Sequence, residues 1–116
     1  MFIKINDEEF EISTKLGTTF KIEKRFKKPY LRVLAGMEDM TANEQIDMLV
    51  CGIKEEETIK KFKESVEEVG IGDLSEYLEE FVNGLQYPGL TEEEIFEKKL
   101  EKKKKQQKMK EAGLLD

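Results

Sequence analysis

Asp73-Leu74-Ser75-Glu76-Tyr77-Leu78-Glu79-Glu80-Phe81-Val82-Asn83-Gly84-Leu85 carries the strongest periodic signal in the chain. Leu74, Tyr77, Leu78, Phe81, Val82 and Leu85 recur at helical spacing, so they share one side of an α-helix, and Glu76, Glu79 and Glu80 fall on the other. A helix with one buried face is expected here, broken by Tyr87-Pro88-Gly89. Upstream, Ile46, Leu49, Val50 and Ile53 form a second stripe. Ile59, Phe62, Val66 and Val69 form a third, ending at Gly70 and Gly72.

Helix starts are marked by capping boxes. Thr41 stands three residues before Glu44, Asp73 three before Glu76, and Thr91 three before Glu94. In this motif the first side chain accepts from a backbone N–H, and the glutamate reaches back to the N–H of the cap. A last helix is expected from about Glu92, with Ile95, Phe96 and Leu100 on one face. Its apolar stripe stops at Leu100, because Glu101–Lys108 contains no apolar residue.

The N-terminal region has a different period. Phe2, Ile3 and Ile5 alternate imperfectly with Lys4 and Asn6, and Phe10 and Ile12 alternate with Glu9 and Glu11. Asn6-Asp7-Glu8 supplies turn formers, so residues 2–12 read as a β-hairpin. A lone hairpin is only marginally stable, so it must lie on helices. Gly17-Thr18 opens a short helix, with Thr18 or Thr19 as its cap and Ile22 and Phe26 on one face; Pro29 ends it. Tyr30–Met40 is ambiguous: Tyr30-Leu31-Arg32-Val33-Leu34 fits a short strand or one helical turn, with helix the preferred reading. The expected fold is α+β, mainly α: a hairpin packed on four or five helices, with a long charged C-terminal helix. Residues 1–100 form one globular domain in this reading, and 101–116 a charged helical extension.

The chain has 116 residues, no histidine, no tryptophan and one cysteine, Cys51. Charged residues make up 40% of it and the net charge is −6, which opposes general binding to nucleic acid or anionic lipid. Residues 92–116 carry eight lysines and seven acids, so residues 1–91 hold −7. No apolar stretch approaches the ~18 residues of a membrane span. No signal peptide is expected, since Phe2–Asn6 is too short and alternates with polar residues. The lone cysteine suits a reducing cytoplasm.

The candidate chemistry is sparse. Asp7-Glu8-Glu9, Glu55-Glu56-Glu57, Glu67-Glu68 and Glu92-Glu93-Glu94 are acidic runs, and paired carboxylates can hold a divalent ion or move protons. That needs convergence in a dry cleft, whereas these runs fall on exposed faces or first helical turns, where they favour the helix dipole. Cys51 lacks a histidine to activate it and sits among Met48, Leu49, Val50 and Ile53, as a small core residue would. Zinc spacing is absent, and Gly70-Ile71-Gly72 lacks the strand and third glycine of a phosphate loop. No catalytic, metal or cofactor residue is assigned. Lys102–Lys105 is a basic run countered by Glu97, Glu101 and Glu111; it reads as a solvated tail, with nucleic-acid contact the lesser alternative. Five apolar stripes exceed what one small core hides. Tyr77, Phe81, Tyr87, Leu90 and Phe96 are therefore the candidate partner-binding residues.

The order of elements carries a resemblance. The hairpin leads into Lys15-Leu16-Gly17-Thr18-Thr19-Phe20-Lys21-Ile22-Glu23, then Leu34-Ala35-Gly36-Met37-Glu38-Asp39-Met40-Thr41, then Ile46-Asp47-Met48-Leu49-Val50-Cys51-Gly52. Over most of residues 1–100 this resembles the tail assembly chaperones of long-tailed phages and prophages of Gram-positive bacteria. The resemblance implies a non-enzymatic factor of the bacterial host cytoplasm, with no cofactor. Such a factor binds the tape-measure protein and keeps it soluble until tail-tube subunits displace it. It also implies a longer frameshifted product, and the adenine-rich codons of Lys102–Lys105 are a place where a ribosome can slip. The strand edge leaves room for a homo-oligomer. The alternative is a small acidic regulatory or adaptor protein that contacts nucleic acid or another protein through its C-terminal helix.

Overall fold

A computed structural model of the chain describes residues 1–87, 91, 93, 94, 96–98, 100 and 101. Strands β1 (Phe2–Ile5) and β2 (Glu8–Glu11) form an antiparallel hairpin in which Ile3 faces Phe10 and Ile5 faces Glu8. Asn6 and Asp7 both have positive φ, 47° and 65°. These are the backbone values of a tight hairpin turn whose twist matches its strands, and Asn and Asp tolerate them better than other side chains. Glu8, grouped with the turn in the sequence, already belongs to β2. The Met1 carbonyl accepts from the Ile12 N–H at 2.8 Å and prolongs the pairing.

Helices α1 (Leu16–Phe26), α2 (Tyr30–Ala35), α3 (Ala42–Val50), α4 (Glu56–Val66) and α5 (Ile71–Gln86) follow, with a 3-10 turn at Met37–Asp39. The architecture is the expected one, α+β and mainly α, with the hairpin packed into the core formed with the five α-helices described up to Gln86. One face of the hairpin is buried: Ile3, Ile5, Phe10 and Ile12 join Met48, Leu49, Phe62, Leu78 and Phe81 in a single core. Burying side chains of this size contributes about 1.5–3 kcal/mol each. The Phe10 and Phe62 rings meet edge to face, 5.3 Å between centroids, and fix the hairpin against α4. The Asn6 side-chain amide donates to the Glu68 carboxylate and ties the turn to the same region.

The helix ends follow local chemistry, with two corrections. Thr41 and Glu44 form the complete reciprocal box at the start of α3, both bonds at 3.2 Å. The Asp73 box does not form. α5 begins three residues earlier than that box requires, with Gly70 at its N-cap, and Asp73 lies within its first turn. Starting at Ile71 gives α5 most of an extra turn and leaves Asp73 to act on the dipole. In α1 the N-cap is Lys15, not a threonine, and Thr18 is buried with Ile22 on the core face. Burial of Thr18 fixes that helix register, and its hydroxyl cannot cap from inside the helix. Lys27 ends α1 in the left-handed conformation, φ 57°, before Pro29. In the third box the Glu94 N–H donates to Thr91 Oγ1 at 3.2 Å, and the threonine hydroxyl donates to the Glu94 carboxylate. Leu90 and the extension beyond residue 101 lie outside the described residues.

Candidate functional site

Residues 15–32 hold seven bases and one acid, a net +6 that leaves −12 for the other residues of a −6 chain. They build α1, its turn and α2. Thr18 and Ile22 turn one face of α1 into the core, and the opposite face carries Leu16 and Phe20, 67% and 59% exposed. One turn apart, these two continue as a single row to Lys24. On α2, Val33 is buried, whereas Leu31 is 76% exposed. The two helices pack together. They are also tied by the Glu23 carboxylate, which accepts from the Tyr30 N–H at 2.9 Å. That bond satisfies a first-turn donor of α2 that Pro29, lacking a polar side chain, leaves open.

Two kinds of basic residue coexist on this layer. Arg25 pairs with Asp47 on α3 and lies 5.7 Å from the Phe26 ring centroid; Lys63 approaches the other Asp47 oxygen at 3.9 Å. This cluster joins α1, α3 and α4. Among the described residues, Lys15, Lys21, Lys24, Lys27, Lys28 and Arg32 join no ion pair. The α1 face is thus an apolar row rimmed by cations without a carboxylate partner.

Of the partner-binding residues expected from the sequence, Phe81 is a correction. It is 0% exposed, since its ring fills the core from α5, and a partner cannot reach it without opening the fold. Tyr77 and Tyr87 are half-buried. The Tyr87 hydroxyl accepts from the Gln86 side chain at 3.2 Å, and Lys98 lies 5.9 Å from its ring centroid. Phe96 is 66% exposed, and Leu90 lies outside the described residues. The four described residues do not make one surface, since Phe81 is enclosed in the core while Phe96 is exposed. The α1–α2 face was missed because Leu16, Phe20 and Leu31 show no stripe of their own. A window of local charge over residues 15–32 would have found it.

The remaining chemistry is modest. The Cys51 thiol donates to the Asp47 carbonyl at 3.3 Å, and burial pushes its pKa up. Asp47 adds to that rise, and Arg25 and Lys21 oppose it, so the thiol is held protonated at neutral pH. A protonated thiol is a poor nucleophile. Among the described residues no group of His, Cys, Asp or Glu side chains could hold a metal ion, and no helix is long and apolar enough to cross a membrane. A shallow groove of about 560 Å³ separates the edge of β2 from the start of α4. Glu9, Glu11 and Glu55 line it beside Lys15 and Lys54, so it carries no clear charge preference.

The fold and this face define a class: a small helical α+β protein with an uncovered basic and apolar surface. No family model matches the chain, and comparisons with curated proteins and with solved structures find no match.

Proposed function

We propose that the chain is a non-enzymatic tail assembly chaperone that binds the tape-measure protein and holds it soluble before tail-tube subunits polymerise around it. The observation that carries this reading is the exposure of Leu16, Phe20 and Leu31 on packed helices of a chain whose core is otherwise well filled. Apolar side chains on adjoining helices can cover the apolar helix of a partner. The resemblance of the segments around Lys15–Glu23, Leu34–Thr41 and Ile46–Gly52 to tail assembly chaperones supplies the partner. The net charge of −6 supports the same role, because like-charged complexes repel one another and stay dispersed. The working place of such a protein is the cytoplasm of the bacterial host.

Co-expression tests the proposal. With the tape-measure gene from the same cluster, the chain is expected to move a substantial part of that protein from pellet to supernatant. An unchanged distribution would count decisively against a chaperone. The gene order offers a cheaper check: a tube-protein gene upstream and a very long helical reading frame downstream are expected.

A further inference from the structure

We infer that the outward face of α1 is a docking site for an acidic amphipathic helix of a partner protein. The inference rests on the chaperone reading for its biological partner, but its physical argument is separate.

Leu16 and Phe20 lie one helical turn apart on the side of α1 opposite the core, Lys24 prolongs the same row, and Lys27 follows just past the helix end. A helix laid along this row can seat its own apolar residues, one turn apart, against Leu16 and Phe20. Acidic residues flanking that partner stripe would then meet Lys21, Lys24, Lys27 and Lys28, none of which joins an ion pair among the described residues. Charge complementarity therefore specifies the occupant: apolar at its centre and acidic at its margins.

The size of the occupant follows from the same charges. The +6 layer belongs to a chain whose other residues carry −12. A helix about 10 Å across rests within roughly one Debye length of the basic layer and feels mainly that layer. A nucleic-acid duplex or an anionic bilayer extends across the molecule and meets the acidic remainder as well. A second copy of the chain is a weak fit through α5. Glu76, Glu79 and Glu80 of that helix supply acid, but its exposed apolar residue, Ile71, stands alone in the first turn and does not offer the two apolar side chains one turn apart that Leu16 and Phe20 call for.

The test uses the full chain and a synthetic helical peptide with leucines one turn apart on one side and glutamates elsewhere. Saturable binding is expected, weakening as salt rises. Exchanging the peptide leucines for serine, or its glutamates for lysine, should each abolish it. On the protein, Phe20→Ser and Lys24→Glu are each expected to weaken binding by about tenfold or more, as at interface anchors. Both residues are exposed, so the circular dichroism and urea midpoint should hold; Lys98→Glu, the same charge change outside α1 and α2, serves as the control and should leave binding unchanged. Equal affinity for the serine or lysine peptide overturns the proposal. So does preferential binding to phosphatidylserine vesicles or a DNA duplex, or self-association that the Phe20→Ser change abolishes. The two readings separate cleanly. If the Phe20→Ser chain still solubilises the tape-measure protein, the chaperone stands and this face falls; if the peptide binds but solubilisation fails, the reverse holds.

Discussion

Gly52 lies where the chain leaving α3 passes closest to the hairpin. Its carbonyl accepts from the Ser13 N–H at 2.8 Å. A Cβ built there would lie 2.4 Å from Ile12 Cγ2 and 2.7 Å from the Ser13 carbonyl oxygen. The second contact is with backbone, so no rotamer change relieves it. Gly52→Ala is expected to cost about 1–3 kcal/mol, as overpacking does, read as a lower urea midpoint at unchanged slope. Gly17→Ala is the comparison, because nothing lies within 4 Å of its added methyl and it should be neutral or slightly stabilising. Equal behaviour of the two variants would refute the close approach. None of this was legible in the sequence, where Gly52 looks like any glycine after a helix. Contacts between residues forty positions apart leave no local pattern. The burial of Phe81 was legible, since it sits centrally in the strongest stripe. Taking it for a partner contact ignored that a stripe's middle is its most enclosed part.

Elements read more clearly than residues. Period alone located α3, α4 and α5, and alternation with Asn6-Asp7 located the hairpin, because one-sided burial imposes those periods directly. Helix starts were harder. Thr41 and Asp73 show the same spacing to a glutamate, yet only Thr41 caps. The difference lies in what precedes each: Gly70 lets α5 begin early, and Ile71 extends it. Thr41→Ala is therefore expected to cost about 1 kcal/mol. Asp73→Ala should cost only a few tenths, the scale of a carboxylate acting on a helix dipole. Urea unfolding of both variants reads the difference, and a larger loss at Asp73 would place the working cap there. The α1 start was misread for a related reason. Thr18 is buried, and the demand of the core for Thr18 and Ile22 on one face outweighed the capping preference of threonine.

At the scale of the molecule, a single net charge concealed a division between a +6 layer and an acidic remainder. Only the fold shows that the basic stretch also carries uncovered apolar side chains, because exposure is a property of packing. Packing also sets the response to alkali. Burial raises the pKa of the Cys51 thiol and the Tyr30 phenol, and Tyr77 is raised by burial and then by Asp73, Glu76 and Glu80. All three shifts have one sign. In the unfolded chain the thiol loses its proton near 9.0 and the phenols near 10.0, while the folded protein holds each proton to higher pH. Across that interval the folded state binds more protons, so stability falls as pH rises. The contribution is complete below the ordinary thiol value and is lost progressively as pH climbs through the folded values. The urea midpoint is expected to decline from about pH 9 upward, and Cys51→Ala should flatten the first part of the decline, whatever its own effect on stability at neutral pH. A midpoint that holds level or rises across this range in the parent chain would mean that these groups are not buried as described. The packing of α2 around Tyr30 and of the end of α3 around Cys51 would then be wrong as well.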